Sequence, residues 1–190
     1  ATHAYDKLLI ATGSKPLMIP IPGNALEGVL PFRDIGDVEK MKQAARDCRN
    51  AVVIGGGLLG LEAANGLRAN GMEVSVIHLV DTLMERQLDE AAGFLLKREL
   101  EDRGINVLTG ATTEAILGES HVTGVRLEDG RELPADLVVM AVGIRPNIAL
   151  AGAAGLACNR GIMVDDHMHS SDPSVLAVGE CVEHRGQTYG

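Results

Sequence analysis

Ala51-Val-Val-Ile-Gly-Gly-Gly-Leu-Leu-Gly-Leu-Glu62 decides how the rest of the chain is read. An apolar run ends in Gly55, Gly57 and Gly60, and an apolar helical stripe follows at once in Leu58, Leu59, Leu61, Ala63, Ala64 and Leu67. The pattern predicts a strand, a tight turn and a helix. Each glycine has a separate task in such a turn. Gly55 permits the turn, Gly57 lets the backbone approach a pyrophosphate, and Gly60 lets helix and strand pack closely. The helix N-terminus offers unpaired N–H groups and about half a positive charge to that pyrophosphate. Asn70-Gly71 closes the helix, and a second strand, Glu73–Leu79, follows. This context lifts a Gly-x-Gly-x-x-Gly spacing above chance and points to binding of a dinucleotide, NAD(P)H, through Gly55, Gly57, Leu58, Leu59 and Gly60.

Working outward, composition removes several classes of function. The 190 residues suffice for one domain or for parts of two, and a 46% apolar share is ample for a core. Aromatics make up only 2%, Trp is absent and the net charge is −9, so stacking on bases and attraction to a phosphate backbone are both lacking. Nucleic acid is therefore excluded as a partner. No apolar run reaches the roughly 18 residues of a membrane span, and no basic-plus-apolar leader is present, so no membrane partner is expected. Cys48, Cys158 and Cys181 are odd in number and far apart, which suits a reducing cytoplasm better than a disulfide scaffold. The chain lacks an initiator Met and enters a strand-like run within a few residues, as expected of a piece of something longer.

Taken in order, Leu8–Ala11 predicts a short buried strand, and Thr12-Gly13-Ser14 turns the chain off its end. Lys15–Pro31 carries Pro16, Pro20, Pro22 and Pro31 and reads as a connector unable to join a helix or a central strand. Asp34–Arg49 predicts an amphipathic helix with Ile35, Val38, Met41 and Ala45 on its core side. After a polar connector over Asp81–Arg86, a helix is expected from Leu88 to Arg103, with Leu88, Ala92, Leu95, Leu96 and Leu100 facing the core and Gly104 as its stop. Ile105–Leu108 is a third strand. Val122, Val125 and Leu127 lead into a hairpin turn at Asp129-Gly130, and Leu137–Val142 returns to the sheet. Gly161–Val164 and Val175–Val178 read as further short strands. The whole predicts an α/β chain whose core is a Rossmann-like, three-layer unit with a β-meander.

Four motifs in order carry a resemblance: Ala11-Thr12-Gly13-Ser14, Gly55-Gly-Gly-x-x-Gly-x-Glu62, Val142-Gly-Ile-Arg-Pro-Asn147 and Ala177-Val-Gly-Glu180. The chain resembles the FAD-dependent pyridine-nucleotide reductases. Within them His78–Asp89 and Val178–Gly190 are similar to the large-subunit family of NAD(P)H-dependent nitrite reductases. The resemblance implies an NAD(P)-binding domain at 21–147 inserted between two remnants of an FAD-binding domain, 1–20 and 148–190. It implies hydride transfer from NAD(P)H to FAD, with the other FAD-domain half, the iron–sulfur and siroheme groups and the redox domains lying elsewhere in a longer chain. A homodimer is allowed. By resemblance Ala11, Thr12, Gly13, Gly179 and Glu180 line the flavin site. Glu180 stands where the family commonly has Asp. Two further readings share these motifs: an electron-entry module of a ferredoxin or rubredoxin reductase or an NADH oxidase, and a nucleotide-binding module without catalysis.

Individual residues sharpen this. Glu62 follows Gly60 by two residues; the resemblance places it toward the nicotinamide and flavin rings, whereas the helix dipole alone would favour an acid there. Gly143, ahead of Arg145-Pro146-Asn147, follows a buried strand at the end where ligands cross. His78 occupies the slot at the end of the second strand where NAD-selective folds place Asp or Glu against the ribose 2′-hydroxyl. Imidazole bonds a hydroxyl without repelling a 2′-phosphate, so NADH and NADPH are not separated by this residue. Asp81 offers an alternative acid, and Arg86 a cation for a phosphate. No Cys-x-x-Cys is present, so no disulfide relay is expected. Cys181 with His184, and His167 with His169, each supply two ligands, fewer than a closed metal site needs, so no metal is expected.

Overall fold

Glycine turns and alternating apolar residues build two units in the computed structural model, which describes residues 3–188. Leu17–Val142 forms the larger unit, and the segments up to Pro16 and from Gly143 onward form the smaller. Ala1, Thr2, Tyr189 and Gly190, at the outer ends of the expected flanking remnants, lie outside the described residues. The chain opens with β1 (Leu8–Ile10) and β2 (Ser14–Pro16), both in the smaller unit.

The larger unit runs β3 (Val29–Pro31), α1 (Ile35–Asp47), β4 (Asn50–Ile54), α2 (Leu58–Ala69), β5 (Glu73–Ile77), α3 (Glu90–Asp102), β6 (Ile105–Leu108), β7 (Thr113–Gly118), β8 (Val122–Leu127), β9 (Glu132–Pro134) and β10 (Leu137–Met140). Its parallel sheet has the order β3-β10-β4-β5-β6. Strand β4 sits near the middle, and its residues alternate between two cores. Val53 packs with Met41, Leu61, Ala64, Leu67 and Met72 beneath the helices. Val52 and Ile54 pack with Ile116, Val125, Leu127 and Met140 beneath the antiparallel sheet β7-β8-β9. Burial on both faces explains why β4 and β10 read as unbroken apolar runs. Helices, parallel sheet and meander are the three layers expected.

Four local expectations are corrected. Strand β3 lies within the presumed connector; Pro31 has no N–H to donate, which is tolerated because β3 is an edge strand of the sheet. Strand β7 carries no clear apolar alternation in the sequence, because Thr113 and Glu114 at its start are polar. In α1, Ile35 is 78% and Val38 38% exposed, while Asp37 is buried. Asp37 closes a capping box: its Oδ2 accepts from the N–H groups of Arg33 and Asp34, and Asp34 Oδ1 accepts from Asp37 N–H. In α3, Leu95 is exposed and Gly93 is buried instead, because Thr82 and Leu83 pass so close that a Cβ on Gly93 would lie 2.4 Å from Thr82 Cγ2.

The smaller unit continues with β11 (Ile144–Pro146), α4 (Ala149–Ala153), β12 (Ile162–Val164), β13 (Val175–Ala177), β14 (Val182–His184) and β15 (Gln187–Thr188). Strand β1 pairs in parallel with β13, and β2 pairs antiparallel with β11. Pairing of β11 with β2 brings Ile144–Pro146 into this unit, so the division falls at Val142/Gly143 rather than at 147/148. A core of Ile10, Ala151, Ile162, Val175, Ala177, Cys181 and Val182 holds it together. Leu8 and Leu9, expected to be buried, are exposed: among the described residues β1 is paired along one edge only, with β13. Glu183 is buried in this unit; it accepts from Asn159 Nδ2, Arg160 N–H and Gly161 N–H, and these bonds hold its carboxyl below the usual range.

Candidate functional site

The glycines after β4 divide by what surrounds them. Gly55 has φ +116°, and a Cβ there would lie 2.3 Å from Ala141 O. A Cβ on Gly60 would lie 1.9 Å from Gly55 O, so helix and turn touch backbone to backbone. Gly57 is the opposite case: no atom lies within 4 Å of a Cβ built on it. The turn is thus closed at both ends and open in its middle, at the side where a ligand would meet the backbone.

Helix α2 starts from that opening, and its N-terminus is bare. Asp34 caps α1 and Asp89 caps α3, each through a side-chain carboxylate. Gly57 caps α2 with no side-chain bond, and the first turn holds no acid. The first N–H groups and the positive end of the dipole are left for an anion. Leu58 and Leu59 are 55% and 41% exposed, so of the apolar helical stripe they face outward while Leu61, Ala63, Ala64 and Leu67 are buried. Gly56, to which the glycine spacing assigns no task, also has no room for a side chain: a Cβ there would meet Leu83 Cδ2 at 2.6 Å and His78 Cγ at 2.8 Å.

His78 does not stand free at the strand end. Its ring is buried, Nδ1 accepts from Gly56 N–H at 3.0 Å, and Nε2 lies 3.1 Å from Thr82 O and 3.2 Å from Glu85 Oε2. Because the amide can only donate, Nδ1 carries no proton, and a neutral ring holds its proton on Nε2. The side chain read as a ribose contact therefore braces the glycine turn, with both nitrogens engaged. Asp81 is turned toward Gly110, whose Cβ would lie 2.5 Å from Asp81 Oδ1. Arg86 is exposed and makes no hydrogen bond or ion pair among the described residues. Glu62 is exposed on α2 and borders a hollow of about 180 Å³ between α1 and α2, with Phe32, Val38, Met41 and Lys42 among its lining.

The remaining candidates lie in the smaller unit. Thr12 Oγ1 donates to Asn147 O at 2.6 Å, Asn147 N–H to Gly13 O at 2.8 Å, and Asn147 Nδ2 to Thr12 O at 3.3 Å. Ser14 Oγ donates to Glu180 Oε2 at 2.9 Å. Gly13 (φ +61°) and Gly179 (φ +82°) have open space where a Cβ would be, and Ala11 and Gly179 are exposed. The structure thus gathers Thr12, Gly13, Ser14, Asn147 and Glu180 by direct bonds. Gly143, exposed with φ +110°, opens this unit rather than closing the larger one.

Cys181, His184 and His169 have other partners. Cys181 Sγ is buried against Val178 O at 3.2 Å, His184 pairs with Asp166 at 2.8 Å, and His169 lies 3.5 Å from Asp165. Burial pushes the Cys48 and Cys158 thiols up, away from the thiolate form. Among the described residues no three metal-capable side chains cluster, and no helix is long and apolar enough to cross a membrane.

A parallel sheet, a closed–open–closed glycine turn and an uncapped helix at its carboxyl edge form the setting in which α/β folds bind dinucleotides. Comparison with known proteins agrees: the model of the pyridine nucleotide-disulphide oxidoreductases matches residues 1–189. The chain belongs to this family. Among its relatives, nitrite reductase [NAD(P)H] of Bacillus subtilis is 55% identical over 98% of this chain and 23% of its own length. A ferredoxin reductase from Rhodopseudomonas palustris superposes with a TM-score of 0.91 at 38% identity, over 97% of this chain and 47% of that one. The water-forming NADH oxidase of Lactobacillus brevis, solved with NADH bound, gives a TM-score of 0.86 at 26% identity over 96% and 40%. The chain therefore spans about a quarter of the nitrite reductase and less than half of the solved ferredoxin reductase and NADH oxidase.

Proposed function

We propose that this family member is the NAD(P)H-binding part of a flavin-dependent reductase, serving nitrite reduction in a longer protein. The observation that carries the reading is the glycine turn itself. Gly55 and Gly60 admit no side chain, Gly57 leaves its side open, and no carboxylate competes for the N-terminus of α2. The first-turn amides of α2 and the open side of Gly57 are the groups that would hold a pyrophosphate, and no side chain would have to be displaced to admit it. His78 holds the turn in this shape through Gly56 N–H. The similarity to an oxidase solved with NADH bound supports the nucleotide, and the similarity to the nitrite reductase supports the destination of the electrons.

When bound, the nicotinamide supplies a hydride and FAD accepts it. The chain's own task is binding and orientation, for which no acid–base residue is required. Thr12, Gly13, Ser14, Gly179 and Glu180 are the residues we assign to the flavin, Glu180 as a carboxylate already held by Ser14. The ferredoxin reductase likeness supports a second electron acceptor, a small iron–sulfur protein.

Calorimetric titration of the chain with NADH, NADPH and FAD tests the reading. NADH is expected to bind in the micromolar range, and loss of binding in Gly57→Ala with the fold intact would locate it. Folded protein with no affinity for either nicotinamide dinucleotide would refute it.

A further inference from the structure

The strand-end position that would ordinarily hold an acid holds His78, yet a carboxylate is still delivered there. Glu85 comes back from the loop after β5 and sets Oε2 3.2 Å from His78 Nε2. His78 in turn binds Gly56 N–H at 3.0 Å through its other nitrogen, so two hydrogen bonds link the carboxylate to the glycine turn. We infer that Glu85, docked on His78, is the residue that separates the ribose 2′-hydroxyl of NADH from the 2′-phosphate of NADPH. The inference rests on the dinucleotide reading of Gly55–Gly60.

Three observations select Glu85 over its neighbours. Its side chain is 43% exposed, against 10% for His78, so the acid and not the imidazole faces outward. Only Oε2 is engaged by His78, which leaves Oε1 to accept from a ribose hydroxyl. Asp81, the other acid of the loop, is turned to Gly110 and makes no hydrogen bond or ion pair with His78 or the turn among the described residues. His78 is then a positioning residue. Its Nδ1 is committed to Gly56 N–H, so its one proton lies on Nε2 and points at the carboxylate. A 2′-phosphate brought to this edge meets a negative charge held in place by a buried ring, whereas a hydroxyl meets an acceptor. Arg86, next in the chain, is the opposing charge; it has no anchor among the described residues and extends into solvent.

The test is titration of the chain and of Glu85→Gln with NADH and NADPH at low salt, with circular dichroism to verify the fold. Wild type is expected to prefer NADH. Glu85→Gln is expected to raise NADPH affinity about tenfold, the scale of one carboxylate–phosphate repulsion at a partly exposed site, and to lower NADH affinity several-fold, because the ribose hydroxyl loses a charged acceptor. In about 0.5 M salt the gap between the two proteins should shrink, because the screening length falls to a few ångströms. An independent readout is the ¹⁵N spectrum of His78, expected to show bare Nδ1 and protonated Nε2; the reverse tautomer would remove the anchor and overturn the inference. An NADPH:NADH ratio unchanged in Glu85→Gln overturns it as well, and so does a wild-type preference for NADPH, which would hand the role to Arg86. Those failures leave NADH binding intact. Absence of binding by any dinucleotide instead refutes the reading of Gly55–Gly60, and this inference with it.

Discussion

Replacing Gly57 by alanine separates folding from binding. Its φ of −85° is open to any residue, and no atom lies within 4 Å of the added methyl. Two small stability effects oppose each other. Alanine is a poorer N-cap than glycine by a few tenths of a kcal/mol to about 1 kcal/mol. It also removes unfolded-state freedom worth about 0.4–1 kcal/mol. The net change in unfolding free energy is expected within about 0.5 kcal/mol, or a few degrees in Tm. Binding should respond very differently. The methyl fills the space through which a pyrophosphate reaches the first-turn amides of α2. Each charge-assisted bond lost costs about 1.5–3 kcal/mol, so losing one weakens NADH binding roughly 10- to 150-fold. Thermal unfolding of both proteins, followed by titration with NADH at one salt concentration, measures both quantities. A variant that folds as wild type and binds NADH within twofold of it would refute the reasoning, because the open side of Gly57 would then face no ligand.

Gly55→Ala is expected to do the reverse. A positive φ and a Cβ 2.3 Å from Ala141 O combine a left-handed penalty of about 1–2 kcal/mol with overpacking of about 1–3 kcal/mol, so chemical denaturation should show a loss of several kcal/mol; a loss under about 1 kcal/mol would mean that β4 and β10 part easily. Acid should weaken the fold through Glu183 and Asp136. Backbone and side-chain donors hold the folded carboxyls of both below their ordinary values, so the unfolded chain takes up the protons first. Their stabilisation is complete above the ordinary carboxyl range and is lost as pH falls through the depressed folded values. Tm measured from pH 7 down to pH 3 should fall, and Glu183→Gln should lower Tm at neutral pH while flattening that fall. An equal slope in the variant would show that Glu183 does not contribute to it.

What the sequence revealed, and what it concealed, follows from the range of each interaction. Strand β4, helix α2 and strand β5 were legible because their cause is local: alternating or unbroken apolar residues, then glycines whose spacing the turn itself dictates. The return of Leu137–Met140 to the sheet was legible for the same reason, since a strand buried on both faces has no polar residue to disguise it. Local pattern failed where a contact distant in the chain decides the outcome. Ile35 looks like a core residue and is exposed, because Asp37 is spent on the Arg33 and Asp34 amides and turns the start of α1 its own way. Gly56 has no assigned place in the Gly-x-Gly-x-x-Gly spacing, and the approach of His78 and Leu83, from 22 and 27 positions later, is what makes it obligatory. His78 is the instructive case. The sequence places an imidazole and no carboxylate directly after β5, and no spacing rule announces that Glu85 returns seven residues later to meet it. A binding site assembled by backbone geometry is written in glycines and can be read from them. Its selectivity resides in side chains that meet only after folding, and there the fold has to be seen.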